Sequence, residues 1–79
     1  MISKTRMWVF EQDQYGPTDN KFSLDNPNYV PRVGEFISHA NAFGKVELVQ
    51  YEYKYEYWPK LPRESGFELV IMVYLEKRE

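Results

Sequence analysis

Cysteine is absent from the 79 residues, which removes disulfides, thiolate zinc sites, iron–sulfur clusters and cysteine nucleophiles together. Small secreted domains usually lean on disulfide staples, so a cytoplasmic location is expected. Histidine is nearly absent as well. His39 is the only imidazole, and a zinc site of three or four ligands has too little to draw on in one chain. No stretch approaches the ~20 apolar residues of a membrane span. The opening Met1-Ile2-Ser3-Lys4-Thr5-Arg6 lacks the apolar run of a signal peptide, so neither a membrane nor processing is expected. The four glycines, Gly16, Gly34, Gly44 and Gly66, are isolated turn formers and build no phosphate-binding loop. An excess of one charge is missing too. Ten basic and twelve acidic side chains give a net charge of -2, which disfavours tight binding to a phosphate backbone.

What the chain has is aromatic residues: seven Tyr, five Phe and two Trp. Each ring can bury about 150 to 250 Å², enough for one small core, so residues 1–79 are read as a single domain. The hydrophobic period is close to two in nearly every segment that has one, which predicts an all-β fold. Thr5 to Glu11 is apolar on both alternate faces, as expected for a strand covered on both sides or crossing between sheets. Gln12 to Asn20, with its Gly-Pro and Asp-Asn pairs, reads as a loop. Lys21 to Asp25 is a short strand with Phe22 and Leu24 on one side, and Pro27 and Pro31 break the chain after it. Val33 to Ser38 reads as a strand entering a hairpin through 39–44. The alternative is one short helical turn near 36–43, with Phe36, Ala40 and Phe43 on one face and Gly44 after its end. That helix would lack a Ser, Thr, Asp or Asn cap.

The most informative segment runs from Lys45 to Trp58. Its apolar positions are even at Val46 and Leu48 and odd at Val49, Tyr51, Tyr53, Tyr55 and Tyr57. A one-residue slip moves every side chain to the other face, so the phase change predicts a bulge or bend near Leu48-Val49. The last strand, Phe67 to Glu76, follows a long loop over 59–66. A hairpin that pairs Tyr57 with Phe67 sets Tyr55 opposite Leu69, Tyr53 opposite Ile71 and Tyr51 opposite Val73. The expected architecture is one small, five-stranded, mostly antiparallel barrel.

Catalysis finds little to use. Ser38 and His39 point to opposite sides of an extended chain, and no nucleophile elbow is present. Asp13, Asp19 and Asp25 lack calcium-loop spacing, while Glu52, Glu56 and Glu68 surround Lys54 as a solubilising face. Neither enzyme activity nor a cofactor or metal is expected. The tyrosine row points instead to binding. Burying four alternating tyrosines would demand four hydroxyl partners, because an unsatisfied buried hydroxyl costs about 1 to 3 kcal/mol. The rings are either core walls with hydroxyls at the rim or a contact surface. The candidate strip is Tyr51, Tyr53, Tyr55, Tyr57 and Trp58, with Lys60 and Arg63 at its rim, and the expected partner is a larger protein. A single-stranded nucleic acid stacked on the aromatics is the weaker alternative, since Glu52 and Glu56 outnumber Lys54 along the row. Pairing of this strand with its own copy, giving a homodimer, is a further alternative.

Val30-Pro31-Arg32-Val33-Gly34-Glu35-Phe36-Ile37, Lys45 to Tyr51 and Leu69 to Glu76 together carry a resemblance. A Pro-Arg-x-Gly-Glu turn before a strand, a V-x-x-V strand and a last alternating strand resemble small β-barrel proteins of bacteria and their phages, over roughly residues 29 to 76. The resemblance implies an SH3-like or related barrel. It also implies an accessory role, such as a phage- or mobile-element-encoded inhibitor of a larger host complex, and it brings no catalytic residue with it.

Overall fold

A computed structural model describes residues 2–56 and 66–77. The fold is all-β, as the period of two requires. Its strands are β1 (Ile2–Asp13), β2 (Gly16–Asp25), β3 (Phe36–Ser38), β4 (Phe43–Glu56) and β5 (Gly66–Lys77). They form one curled sheet in the order β2-β1-β5-β4-β3. Only the β1–β5 pairing is parallel; the other three are antiparallel. The barrel is half-closed, because β2 and β3 stand at opposite edges without hydrogen bonding to each other.

The central pair explains the two-sided apolar pattern of the first strand. β1 and β5 are paired along both edges and carry apolar residues on both faces, which are covered unequally. Met7, Val9, Ile71, Val73 and Leu75 are buried on one face and join Val46 and Ala42 in the core. The segment between β2 and β4 lays Val30 and Ile37 over this face. On the other face Trp8, Phe10, Met72 and Tyr74 are only half-buried.

Four expectations change. The stretch Gln12 to Asn20 is not a loop: β1 and β2 run on to a two-residue turn at Gln14-Tyr15, with Asp13 paired to Gly16. The Asp13 carboxylate accepts the Tyr15 N–H at 2.8 Å, and Gly16, at φ 117°, takes a conformation that side chains disfavour. Pro17 is tolerated because β2 is an edge strand. The strand expected from Val33 is three residues long, since Gly34 and Glu35 bond to Val46 from a turn and not as a ladder. No helical turn forms over 36–43; His39 to Ala42 close a hairpin between β3 and β4 instead. Finally, the β4–β5 register lies two residues from the expected one: Tyr55 faces Phe67, Tyr53 faces Leu69, Tyr51 faces Ile71 and Val49 faces Val73. A shift of two preserves the face of every side chain, so the hydrophobic pattern could not separate the two registers.

The phase change is realised as a register shift between Val46 and Leu48, which leaves Glu47 as the extra residue. β1 has its own shift between Phe10 and Gln12 against both neighbours, with the additional residues on β5 and β2. Such irregularities bend and twist a sheet, and the two shifts meet. The Gln12 amide donates to the Leu75 carbonyl at 2.7 Å and to Glu47 Oε2 at 2.8 Å, using both of its N–H donors.

Two stability outcomes follow. Leu75→Ala, at a site 1% exposed, should cost about 2 to 5 kcal/mol in urea unfolding, against under about 1 kcal/mol for the half-exposed Leu24→Ala. Gln12→Ala strands a buried carbonyl and should cost about 1 to 3 kcal/mol in the same assay.

Candidate interaction surface

The expected strip runs along β4, and the described part of it is exposed. Tyr51 and Tyr53 keep 57% and 63% of their surface. The cross-strand rows show why. From β2 to β4 one row reads Leu24, Met7, Ile71, Tyr51. Its centre is buried, with Met7 and Ile71 each 3% exposed, whereas Leu24 at the other end keeps 47%. Tyr51 and Tyr53 therefore continue the core face beyond the core. Neither hydroxyl bonds to another described residue. Tyr55 follows within β4, its backbone opposite Phe67. Its side chain, and the whole of Tyr57, Trp58, Lys60 and Arg63, lie outside the described residues.

A second aromatic row occupies the opposite face. Trp8 and Phe10 stack at 6.0 Å between ring centroids, and Phe10 stacks on Tyr74 at 5.4 Å. Lys21 reaches over the Trp8 ring at 5.4 Å, within cation–π range. Arg6 and Asp25 form an ion pair at 3.0 Å beside them. This row lies outside the tyrosine strip expected from the sequence. Its signal was present in the two-sided apolar run of β1, but only the parallel pairing to β5 brings Tyr74 beside Phe10.

The half-barrel is drawn together at its open side by side chains. The Phe22 ring of β2 stacks on His39, in the β3–β4 turn, at 3.8 Å. His39 Nδ1 accepts the Asn41 N–H at 3.0 Å, so the imidazole is a turn element. Next to it lies a polar cavity of about 420 Å³, lined in part by Glu11, Lys21, Asn41 and Phe43. Glu11, 8% exposed, accepts the Phe43 N–H at 3.1 Å and so ties the register shift of β1 to the start of β4. Among the described residues, no three His, Asp or Glu side chains gather as ligands for one ion.

The Pro-Arg-x-Gly-Glu motif forms a clamp. The Tyr29 hydroxyl donates to both Glu35 oxygens at 2.5 and 2.6 Å, and the Arg32 N–H donates to Glu35 at 2.6 Å. The Gly34 N–H donates to the Val46 carbonyl and the Val46 N–H to the Glu35 carbonyl, which fastens the turn to β4. The Tyr29 hydrogen bond, then the Arg32 backbone N–H, hold the Glu35 carboxyl below its ordinary range. The same hydrogen bond is the first cause that raises the Tyr29 phenol. A depressed carboxyl pKa contributes stability that is complete above the unfolded value, about 4.3, and is lost as pH falls through the folded value. The melting-temperature difference between the parent chain and Tyr29→Phe should therefore be present at neutral pH and shrink steadily on acidification below about 4.3. A difference independent of pH would detach the clamp from Glu35 ionisation.

No protein-family model matches this chain, and no curated protein and no solved structure matches it either, so the functional reading rests on the surfaces described above.

Proposed function

We propose that this chain is a non-enzymatic accessory module that binds another protein through the aromatic strip of β4. One observation carries the reading: Tyr51 and Tyr53 are 57% and 63% exposed in the rows of Ile71 and Leu69, on the face that buries the core. Tyrosine suits such a surface because it offers a rigid, amphipathic ring with few rotamers to lose. The proposed strip continues through Tyr55, Tyr57 and Trp58 to Lys60 and Arg63 on the sequence alone. The SH3-like likeness, a bacterial or phage origin, inhibition of a larger host complex and a cytoplasmic location belong to the same proposal. They rest on the resemblance and the composition.

Single-stranded nucleic acid is the second reading, favoured by one specific feature. The Trp8–Phe10–Tyr74 row is a run of stacked rings with Lys21 at its edge, and bases stack on such platforms without sequence preference.

A Tyr51→Ser/Tyr53→Ser chain should fold with little change in melting temperature and lose the protein captured by the parent chain in an affinity pull-down. Unfolding of that variant would return the two rings to the core. For the second reading, anisotropy of a labelled short oligonucleotide at low salt should show binding that Trp8→Ala weakens and added salt abolishes. An unbound oligonucleotide would end it.

A further inference from the structure

The outer edge of β4 is a long unpaired run of backbone in the described sheet, as is that of β2 at the other edge. β3 covers it only at Phe43, Gly44 and Lys45, and the turn at Gly34-Glu35 takes the N–H and C=O of Val46. Beyond Val46, no described strand pairs with that side of β4. Which groups are free there follows from the geometry. Val46 directs its backbone outward, and the extra residue at Glu47 passes the outward phase to odd positions. The free N–H and C=O groups therefore belong to Val49, Tyr51, Tyr53 and Tyr55. Bare edges of this kind accept a further strand, and natural edges usually blunt that tendency with a charge. Here the blunting charges are Glu52 and Lys54, both exposed.

Resting on the reading of β4 as a contact strand, we infer that the partner it fits is a second copy of this chain, joined edge to edge and antiparallel through residues 50–56 about a two-fold axis at Tyr53. The charges select this register. With the axis at Tyr53, the free groups of Tyr53 meet those of its copy, Tyr51 meets Tyr55, and each Glu52 stands opposite the Lys54 of the other copy. The Glu52–Lys54 pairs fall at non-hydrogen-bonded positions, where opposing side chains come closest. Opposite charges across strands stabilise and like charges destabilise. Moving the axis one residue towards the N-terminus sets Glu52 against Glu52. Moving it one residue the other way sets Lys54 against Lys54. The seven paired positions fall within the ordinary strand length of about 3 to 10 residues. The contact is isologous and closes on itself. The charges that keep a foreign strand off the edge thus admit its own copy in one register, and the exposed Tyr51 and Tyr53 of the two copies meet as one aromatic band.

The test is sedimentation equilibrium of the full chain across a wide concentration range, with melting curves for every variant. Glu52 faces Val70 within its own chain, so Glu52→Lys spares the intramolecular ladder while placing like charges against Lys54 of the copy. The parent chain should dimerise, and Glu52→Lys should raise the dimer dissociation constant roughly tenfold or more. Adding Lys54→Glu to the same chain should restore most of the affinity. A mixture of the Glu52→Lys chain with the Lys54→Glu chain should favour the mixed dimer over either parent. A dimer indifferent to these changes would overturn the register, and a monomer at every concentration would overturn self-pairing altogether. In the monomeric case, capture of another protein that Tyr51→Ser/Tyr53→Ser abolishes would leave the contact-strand reading standing. No such capture would end that reading too.

Discussion

The side-chain amide of Gln12 sits where two register shifts meet, and the curl of the sheet turns on it. β1 changes register on either side of Glu11, Glu47 is the extra residue of β4, and β5 lies between them. One N–H of the amide reaches the Leu75 carbonyl and the other reaches Glu47. A polar group is costly to bury unless its hydrogen bonds are made, and here both donors are used. Glu11, the other polar residue buried in this corner, accepts the Phe43 N–H and holds the start of β4. Two bends that would otherwise be local irregularities are thereby locked to each other, and the sheet closes halfway to a barrel.

That curl separates the two faces. The inner one is covered by Val30, Ile37 and Ala42 from the segment between β2 and β4 and carries the core. The outer one keeps its aromatics half-buried, each shielded by its neighbour in the Trp8–Phe10–Tyr74 stack. The covering segment is held by local chemistry at both ends. Asn26, in a left-handed conformation at φ 49°, donates its N–H to Thr5 and ends β2. The Tyr29–Glu35 clamp then fastens the chain to Val46 just before the bulge at Glu47. The inner face remains uncovered by described residues at its Leu24 and Tyr51–Tyr53 margins, and the β4 margin is where binding is proposed.

Much of the fold was legible because strand periodicity is a local property. The all-β class, the five strands and the bulge in β4 follow from apolar residues at alternate positions and from the switch between Leu48 and Val49. The extra residue proved to be Glu47, one place earlier. The Gln12 to Asn20 stretch misled because its Gly-Pro and Asp-Asn pairs read as breakers, although an edge strand accommodates them. The candidate strip was legible in part: alternation placed Tyr51 and Tyr53 on one face of one strand, but exposure depends on how far a distant segment reaches over that face.

The sequence by itself determined which residues alternate, where the alternation slips and which chemistries the chain has no residues for, because each of these depends on neighbours within one strand. Only the tertiary structure decided that β1 lies parallel to β5, that Tyr74 therefore stands beside Phe10, and that the β4–β5 register sits two residues from the expected one. Registers two residues apart bury the same faces, and their choice rests on contacts between residues far apart in the chain. The meeting of Gln12 with Glu47 is of the same kind, made across a strand that enters the sequence only after both.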